Sequence, residues 1–272
     1  MPAARGQKTR KSVLAHWKGG YGQGEGITYK PWFNTRNVPS HGERNRIKGI
    51  KTHRLHQLLS KLERHYFYIL DWSLDVTDIR EQFPLWHFDE TTELAAQLGV
   101  KSVVAPGKEV HVMTSDFVVN IQGDPARKRV RSAKYAAELN DERTLEKLEI
   151  ERQYWLRRGD DWAIVTEHEI PADLALNLEL WHPWHSLEGV AIELKERDRL
   201  VQALTKEVAD GRGTLTAITK TQDQAFALEP GTALTVTYHL LITRQWKVDP
   251  YKRFRPSAEL ELLGTELRGQ NP

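Results

Sequence analysis

The sequence of 272 residues predicts an α/β fold with a mixed central sheet, followed by a mainly helical domain. The first half reads in the order helix, strand, hairpin, helix, strand, which favours a sheet flanked by helices. Pro171 marks the change of pattern, and helical periodicity dominates after it. We therefore predict a basic N-terminal arm at 1–40, an α/β domain at 41–170 and a helical domain at 171–272.

The composition excludes several classes of protein. The chain contains no cysteine, so disulfides, thiolate catalysis and cysteine-ligated zinc are excluded. No stretch approaches the roughly 18 consecutive apolar residues of a membrane-spanning helix, and no apolar segment follows the basic N-terminus as it would in a signal peptide. These features predict a cytoplasmic protein with no membrane partner.

The charge is unevenly distributed along the chain. Residues 1–56 hold twelve Lys and Arg against Glu25 and Glu43, so this segment carries about +10 and the remainder about −8. A basic arm on an acidic body favours a polyanionic partner, nucleic acid first. A disordered solubilising tail is the alternative. The aromatic residues Trp17, Trp32 and Phe33 predict that part of the arm packs on the body.

The first elements of the α/β domain follow from hydrophobic spacing. Leucine and aromatic residues recur at helical spacing over Leu55–Leu70, and Glu63 lies at the edge of this apolar stripe, where its carboxylate can face the interior. A strand is predicted at Val76–Phe83. A short helix and a loop follow over Asp89–Pro106.

A hairpin comes next. Residues Val110–Val119 alternate as a strand, Gly123-Asp124-Pro125 indicates a turn, and a second strand runs from Arg127 to Tyr135. Residues two apart on a strand share a face, so Ser132 and Lys134 should project together. The hairpin should bring Asp116 beside Lys134.

A helix capped by Asp141 and ended by Gly159 is predicted after the hairpin, and a buried strand over Trp162–Thr166 follows it. We expect an i,i+4 ion pair between Lys147 and Glu151 on this helix. Its buried side is predicted to carry Leu145, Leu148 and Trp155.

The C-terminal domain predicts helices at about Leu187–Ala209, Thr214–Leu228 and Thr232–Thr243. The short glycine-containing turn before the last helix resembles a helix-turn-helix. The basic stretch Trp246–Phe254 then predicts a β wing. DNA contact and protein docking both remain open for this domain.

A trio of segments carries the chemistry: Glu63, Asp116 and the triplet Ser132-Ala133-Lys134. Carboxylate and carbonyl oxygens hold hard divalent cations, and a lysine supplies positive charge where negative charge develops on a phosphate. This predicts a metal-dependent phosphodiesterase site. Each member also has a structural alternative: Ser60 and Glu63 match a capping box, Asp116 can close a turn or pair with an arginine, and Lys134 can be a solvated edge charge.

Four basic residues lie beside the hairpin turn, where they are suited to contact DNA phosphates without reading sequence. A solvated strand face is the alternative. The four residues are Arg127, Lys128, Arg129 and Arg131.

Several ordered strings resemble the TnsA family, the endonuclease subunits of heteromeric cut-and-paste bacterial transposons. They include LHQLLSKLE (55–63), DIREQFPL (78–85), MTSDFVV (113–119), SAKYAAEL (132–139) and DERTLEKLEIERQYW (141–155). Further strings are GYGQGEG (20–26), PWF (31–33), LEPGTALTVTYHLL (228–241) and YKRFRP (251–256). The resemblance covers nearly the whole chain.

The resemblance implies a restriction-endonuclease-like catalytic domain of the PD-(D/E)xK class, followed by a winged-helix-like domain. It implies Mg²⁺-dependent cleavage, with Mn²⁺ as a possible substitute, of the 5′ (non-transferred) strand of double-stranded DNA at transposon ends. The implied partners are a DDE-type transposase (TnsB-like), which cuts the 3′ strand, and an ATPase regulator (TnsC-like). Association with the bacterial nucleoid during transposition follows.

The resemblance also assigns residues. The family's catalytic glutamate, aspartate and lysine fall on Glu63, Asp116 and Lys134. The carbonyl of Ala133 would complete the metal ligands, and Glu151 matches a helical glutamate near the site. Ser132 departs from the glutamine or acidic residue expected there, and a hydroxyl cannot replace a carboxylate charge.

Two other functions remain open at this point. The chain can be a stand-alone restriction or repair nuclease, which would nick unrelated DNA. It can also be a non-catalytic DNA-binding scaffold subunit, in which Ser132 marks lost activity. Retention of Glu63, Asp116 and Lys134 together argues against the scaffold.

Overall fold

The structure, a computed structural model, describes residues 8–34, 43, 45–101, 109–110 and 112–266. The chain forms two compact units, Met1–Ile170 and Pro171–Pro272. The described part of the predicted arm belongs to the first unit. Residues 1–7, 35–40 and most of the loop before Pro106 lie outside the described residues.

The first unit contains eight strands and four α-helices within the described residues. The strands are β1 (Lys8–Thr9), β2 (Asn45–Lys48), β3 (Leu55–Leu58), β4 (Val76–Pro84), β5 (Glu109–Val110), β6 (Thr114–Ile121), β7 (Asp124–Ala133) and β8 (Asp161–Val165). The helices are α1 (Arg10–Lys18), α2 (Lys61–Trp72), α3 (Phe88–Gln97) and α4 (Glu142–Leu156).

The central sheet has the strand order β4-β6-β7-β8. β4 and β7 each pair antiparallel with β6, and β8 pairs parallel with β7. This confirms the predicted mixed sheet. The parallel pair is possible because α4 connects β7 to β8 and returns the chain to the same end of the sheet.

Helices cover both faces of the sheet. Phe117 of β6 meets Tyr66 of α2 edge to face, with ring centroids 5.5 Å apart. Val118 and Val130 are fully buried on the opposite face, in a core cluster with Trp155 of α4. Alternate residues of β6 and β7 therefore enter separate cores, as a period of two requires.

The predicted helix over Leu55–Leu70 was wrong at its start. Residues Leu55–Leu58 form β3, which pairs with β2, and α2 begins only at Lys61. Leucines spaced for a helix also suit a short strand that is half buried, and here Ser60 provides the helix N-cap. The cap fixes the start of α2 three residues before Glu63.

The hairpin forms with slightly different bounds from those predicted. β6 begins at Thr114 rather than Val110, and β7 begins at Asp124, directly after the turn. Gly123 has φ +82°, a left-handed conformation that favours glycine over residues with a side chain. The turn signal therefore predicted the reversal correctly, but not where each strand begins and ends.

Helix α4 begins as predicted, because the Asp141 side chain accepts a hydrogen bond from the Thr144 amide. Leu148 and Trp155 are buried. Leu145 was wrongly assigned to the buried side, since it is 45% exposed. The expected Lys147–Glu151 ion pair was also wrong: Lys147 faces solvent and Glu151 is buried.

The N-terminal segment packs onto the catalytic unit, as its aromatic residues predict. Trp17 stacks on Trp86 with ring centroids 3.7 Å apart. Trp32 is buried in a cluster with Val112. Gly22 is required at its position, because its φ is +75° and a Cβ there would lie 2.2 Å from the Pro84 ring.

The second unit is mainly helical, with helices α5 (Ala172–Trp181), α6 (Leu194–Ala209), α7 (Leu215–Ala225) and α8 (Thr232–Ile242). The helix predicted from Leu187 begins seven residues later, because Gly189 lies in a turn with φ +87°. The β wing predicted over Trp246–Phe254 was wrong in extent. Among residues 171–266, which the structure describes, only β9 (Trp246–Lys247) and β10 (Gly264–Thr265) pair, so the winged-helix assignment stays a prediction.

The length and hydropathy of the helices bear on membrane insertion. Across the described ranges, no helix is long and apolar enough to cross a bilayer. The longest, α6, has 16 residues.

Candidate active site

The hairpin brings Asp116 and Lys134 into direct contact, as the sequence predicts. The Lys134 ammonium lies 2.9 Å from Asp116 Oδ2 and 2.9 Å from the carbonyl oxygen of Ala133. The same Asp116 oxygen accepts the Ala133 amide at 2.8 Å. One carboxylate, one backbone carbonyl and one ammonium therefore meet where β7 ends.

Helix α2 presents Glu63 toward the same place. Its side chain is almost fully buried and accepts three hydrogen bonds. The donors are the backbone amide of Leu59 at 2.9 Å, the Ser60 hydroxyl at 3.1 Å and the side-chain carboxamide of Gln82 at 3.2 Å. The Ser60 hydroxyl in turn accepts the Glu63 amide at 3.0 Å. The capping role and a place in the site are thus compatible.

The pKa values of Glu63 and Lys134 are both raised, but for different reasons. Burial, followed by the negative charge of Asp116, raises the pKa of Glu63 to about 8. Burial would lower the pKa of Lys134, but Asp116 outweighs it and the pKa is raised. Lys134 is therefore fully protonated at neutral pH. It can donate hydrogen bonds and stabilise negative charge, but it cannot accept a proton.

Ser132 and Glu151 form a second, deeper layer. The Ser132 hydroxyl donates to Glu151 at 2.6 Å, and both side chains are buried. Burial first, and then Asp116, raises the pKa of Glu151. The sequence predicts that Ser132 and Lys134 project together. In the structure the Ser132 hydroxyl contacts Glu151, whereas Lys134 contacts Asp116. The Ser132 hydroxyl thus holds the carboxyl group of Glu151 on α4.

Gln82 is a member of the cluster that the sequence reasoning missed. It lies in β4, is 2% exposed and donates to Glu63. The register pairs Glu81 with Phe117 and Phe83 with Ser115, so Gln82 lies opposite Asp116. The sequence gives no signal of this contact with Glu63, because a glutamine between Glu81 and Phe83 matches an ordinary strand pattern.

A separate buried network adjoins this cluster. Glu81 is fully buried and accepts hydrogen bonds from Arg54, from His56 Nδ1 at 2.8 Å and from the Gln57 amide at 2.9 Å. Burial would raise the pKa of Glu81, but His56 and Arg54 outweigh it and hold the pKa far below its usual value. Glu81 is consequently ionised and completely paired.

Three of the four basic residues of β7 have described side chains, and these three do not face the same way. Lys128 lies over the Trp155 ring, 5.9 Å from its centroid, on the α4 face of the sheet. Arg129 is exposed and lies toward Tyr66 on the α2 face. Arg131 pairs with Asp161 at 3.0 Å. The side chain of Arg127 is outside the described residues.

The donor set is compatible with a hard divalent cation. Glu63, Asp116 and the Ala133 carbonyl offer only oxygen atoms, which Mg²⁺ and Mn²⁺ prefer. The negative charge of Asp116 adds to burial in raising the pKa of Glu63, so a cation between the two carboxylates would relieve their repulsion. Among the described residues, no group of three or more His, Cys, Asp or Glu side chains is placed to hold a metal. The carbonyl oxygen would therefore have to supply one ligand.

Buried carboxylates and a protonated lysine on a mixed sheet are typical of enzymes that cleave phosphodiester bonds. A family model described as TnsA-like endonuclease N terminal matches residues 73–167, and one described as TnsA endonuclease C terminal matches residues 169–249. The transposon Tn7 transposition protein TnsA of Escherichia coli is 37% identical over 267 residues, which cover 98% of this chain and 96% of that protein. The chain belongs to the TnsA endonuclease family.

Proposed function

We propose that the chain is the DNA endonuclease subunit of a heteromeric transposase, and that it hydrolyses the 5′ strand at transposon ends in a Mg²⁺- or Mn²⁺-dependent reaction. The observation that carries this proposal is the contact of Lys134 with both Asp116 and the Ala133 carbonyl. It occurs in a chain that matches a transposition protein along 98% of its length.

Each residue has a defined part in the proposed site. Glu63, Asp116 and the carbonyl of Ala133 would hold the cation, which when bound supplies Lewis-acid stabilisation of negative charge on the phosphate. Lys134 adds a fixed positive charge at the same place and orients the attacking water by donating to it. Since Lys134 is protonated, the proton of that water would pass to solvent, and the bond between phosphorus and the leaving 3′ oxygen would break.

The deeper layer has a supporting part. Glu151 accepts a hydrogen bond from the Ser132 hydroxyl at 2.6 Å, and burial followed by the negative charge of Asp116 raises its pKa. In this proposal Glu151 is an outer residue that supports the cation site through Ser132 and is not itself a metal ligand.

DNA binding would use basic side chains of β7 that remain accessible to solvent. Arg129 is exposed, and Lys128 is partly exposed above Trp155, so both remain candidates for phosphate contact. Arg131 contributes less in this proposal, because its guanidinium already pairs with Asp161. Arg127 stays a sequence prediction. A DDE-type transposase, which would select the transposon ends, and an ATPase regulator are the proposed partners.

The test is cleavage of labelled transposon-end DNA by the full-length chain, with and without its transposase, in Mg²⁺, in Mn²⁺ and in EDTA. We expect hydrolysis of the 5′ strand that needs the cation and the transposase. Nicking of unrelated DNA by the chain alone would favour a stand-alone nuclease. No cleavage, together with intact partner binding and no heat of Mn²⁺ binding in calorimetry, would favour a scaffold.

A further inference from the structure

Gln82 has an unusual backbone for a residue inside a strand. Its φ is +51° in the middle of β4, and its side chain is buried. A left-handed conformation is unfavourable for a residue with a side chain and persists only when the surroundings hold it there. Such positions concentrate at functional sites.

The surroundings do hold the turned backbone. The carbonyl of Glu81 accepts the Tyr29 hydroxyl at 3.0 Å, and the carbonyl of Gln82 accepts the Trp32 amide at 3.2 Å. The paired Glu81 side chain anchors the preceding residue to Arg54 and His56. Both carbonyls next to the unfavourable φ are thus satisfied by the N-terminal segment.

The side chain shows what the conformation achieves. Gln82 Nε2 donates to Glu63 Oε2 at 3.2 Å. The other two donors to this carboxylate, Leu59 and Ser60, belong to the start of α2 itself. Gln82 is therefore the residue whose hydrogen bond joins the Glu63 carboxylate to the sheet, opposite Asp116.

A carboxamide suits this task because it donates a hydrogen bond without adding charge. Glu63 and Asp116 already repel each other, so a third carboxylate would increase that repulsion. An apolar side chain would leave Glu63 Oε2 with one donor fewer and would remove the hydrogen bond between this carboxylate and β4.

We propose that Gln82 is a positioning residue that orients the Glu63 carboxylate toward Asp116 for cation binding. This rests on the proposed metal-dependent function. Outer residues that orient a metal ligand typically change metal affinity by about 10- to 100-fold when they are replaced.

The experiment measures Mn²⁺ binding by titration calorimetry, and stability by urea unfolding in EDTA, on the full chain and on Gln82→Gly and Gln82→Met. Glycine relieves the positive φ but removes the amide, whereas methionine keeps the volume without a donor. We expect both variants to bind Mn²⁺ about tenfold more weakly, and Gln82→Gly to keep the unfolding midpoint of the unaltered chain.

The matched control is His53→Gly. His53 also has a positive φ, of 56°, but it is exposed and makes no contact with Glu63. This variant should keep both the Mn²⁺ affinity and the cleavage rate.

The outcomes separate this inference from the proposed function. If the unaltered chain neither binds Mn²⁺ nor cleaves DNA, the proposed function fails and the inference fails with it. If the unaltered chain does both, and both Gln82 variants bind Mn²⁺ within twofold of it, only the inference is overturned. Failure of both variants to fold would also overturn it, since it would show that Gln82 serves stability instead.

Discussion

Glu63 and Glu81 are two buried carboxyl groups of the first unit whose pKa values are shifted in opposite directions. Glu81 is held ionised by Arg54 and His56. Glu63 receives only neutral donors, and burial together with Asp116 raises its pKa to about 8. A buried carboxylate that is fully paired supports a fold, whereas one that faces another carboxylate is suited to bind a cation.

The comparison is tested most strongly by removing the charged members of the site. Lys134→Ala and Asp116→Ala should each lower 5′-strand cleavage by at least about 10²- to 10³-fold, because each removes a charge placed at the reacting phosphate. The measurement is the single-turnover cleavage rate with the transposase present. Lys147→Ala, on the exposed face of α4, is the control. Cleavage that survives both site variants would show the assignment to be wrong.

Removing the charge of Glu81 should instead affect stability. Glu81→Gln leaves the Arg54 guanidinium buried without its counter-charge, so the free energy of unfolding should fall by about 3–5 kcal/mol. Urea unfolding measures this fall. Glu93→Gln, on the exposed side of α3, should change it by less than about 0.5 kcal/mol. A similarly small change in Glu81→Gln would contradict a structural role for the network.

In metal-free protein Glu63→Gln should raise the free energy of unfolding, whereas Glu81→Gln lowers it. The size of this increase should depend on pH. The folded chain keeps the Glu63 proton up to about pH 8, whereas the unfolded chain loses it near pH 4.5. The unaltered protein therefore loses stability as pH rises through this window. The stability of Glu63→Gln relative to the unaltered chain should rise by roughly 1–3 kcal/mol between pH 5 and pH 8.

Urea unfolding in EDTA at four or five pH values measures this difference. A difference that stays flat with pH would show that Glu63 has an ordinary pKa. Glu81→Gln offers the contrast, because its effect should be constant over the same range: Glu81 is ionised in both the folded and the unfolded chain there.

The smallest effect is expected on DNA affinity. Lys128→Ala and Arg129→Ala should each reduce the slope of log affinity against log salt by about one, because each would remove one phosphate contact. Arg131→Ala should reduce it less, since Arg131 already pairs with Asp161. Fluorescence anisotropy at several salt concentrations measures the slopes. Equal slopes for all four proteins would place the DNA contact elsewhere.

Local patterns predicted the elements that bring Asp116 and Lys134 together. The hairpin was signalled by alternation and a glycine turn, and α4 by its Asp141 cap. β3 was missed because its leucines also match a helix. Such ambiguity is intrinsic to short apolar runs.

The rest of the candidate site depends on contacts between distant parts of the chain. The network of Glu81 joins residues 24 to 27 positions apart, and no local pattern indicates it. The positive φ of Gln82 is equally hidden, because it depends on Tyr29 and Trp32. Ser132 was recognised as a departure, but its partner Glu151 could be identified only from the fold.

The close fit of Gly22 against Pro84 has a consequence for how the sequence tolerates change. Pro84 is two residues from Gln82, and any side chain at Gly22 would meet the proline ring. A substitution in this glycine-rich loop near the N-terminus would thus press on β4, the strand from which Gln82 donates to Glu63. The family model described as TnsA-like endonuclease N terminal begins at residue 73. A substitution at residue 22, outside that match, would still displace Pro84 of β4.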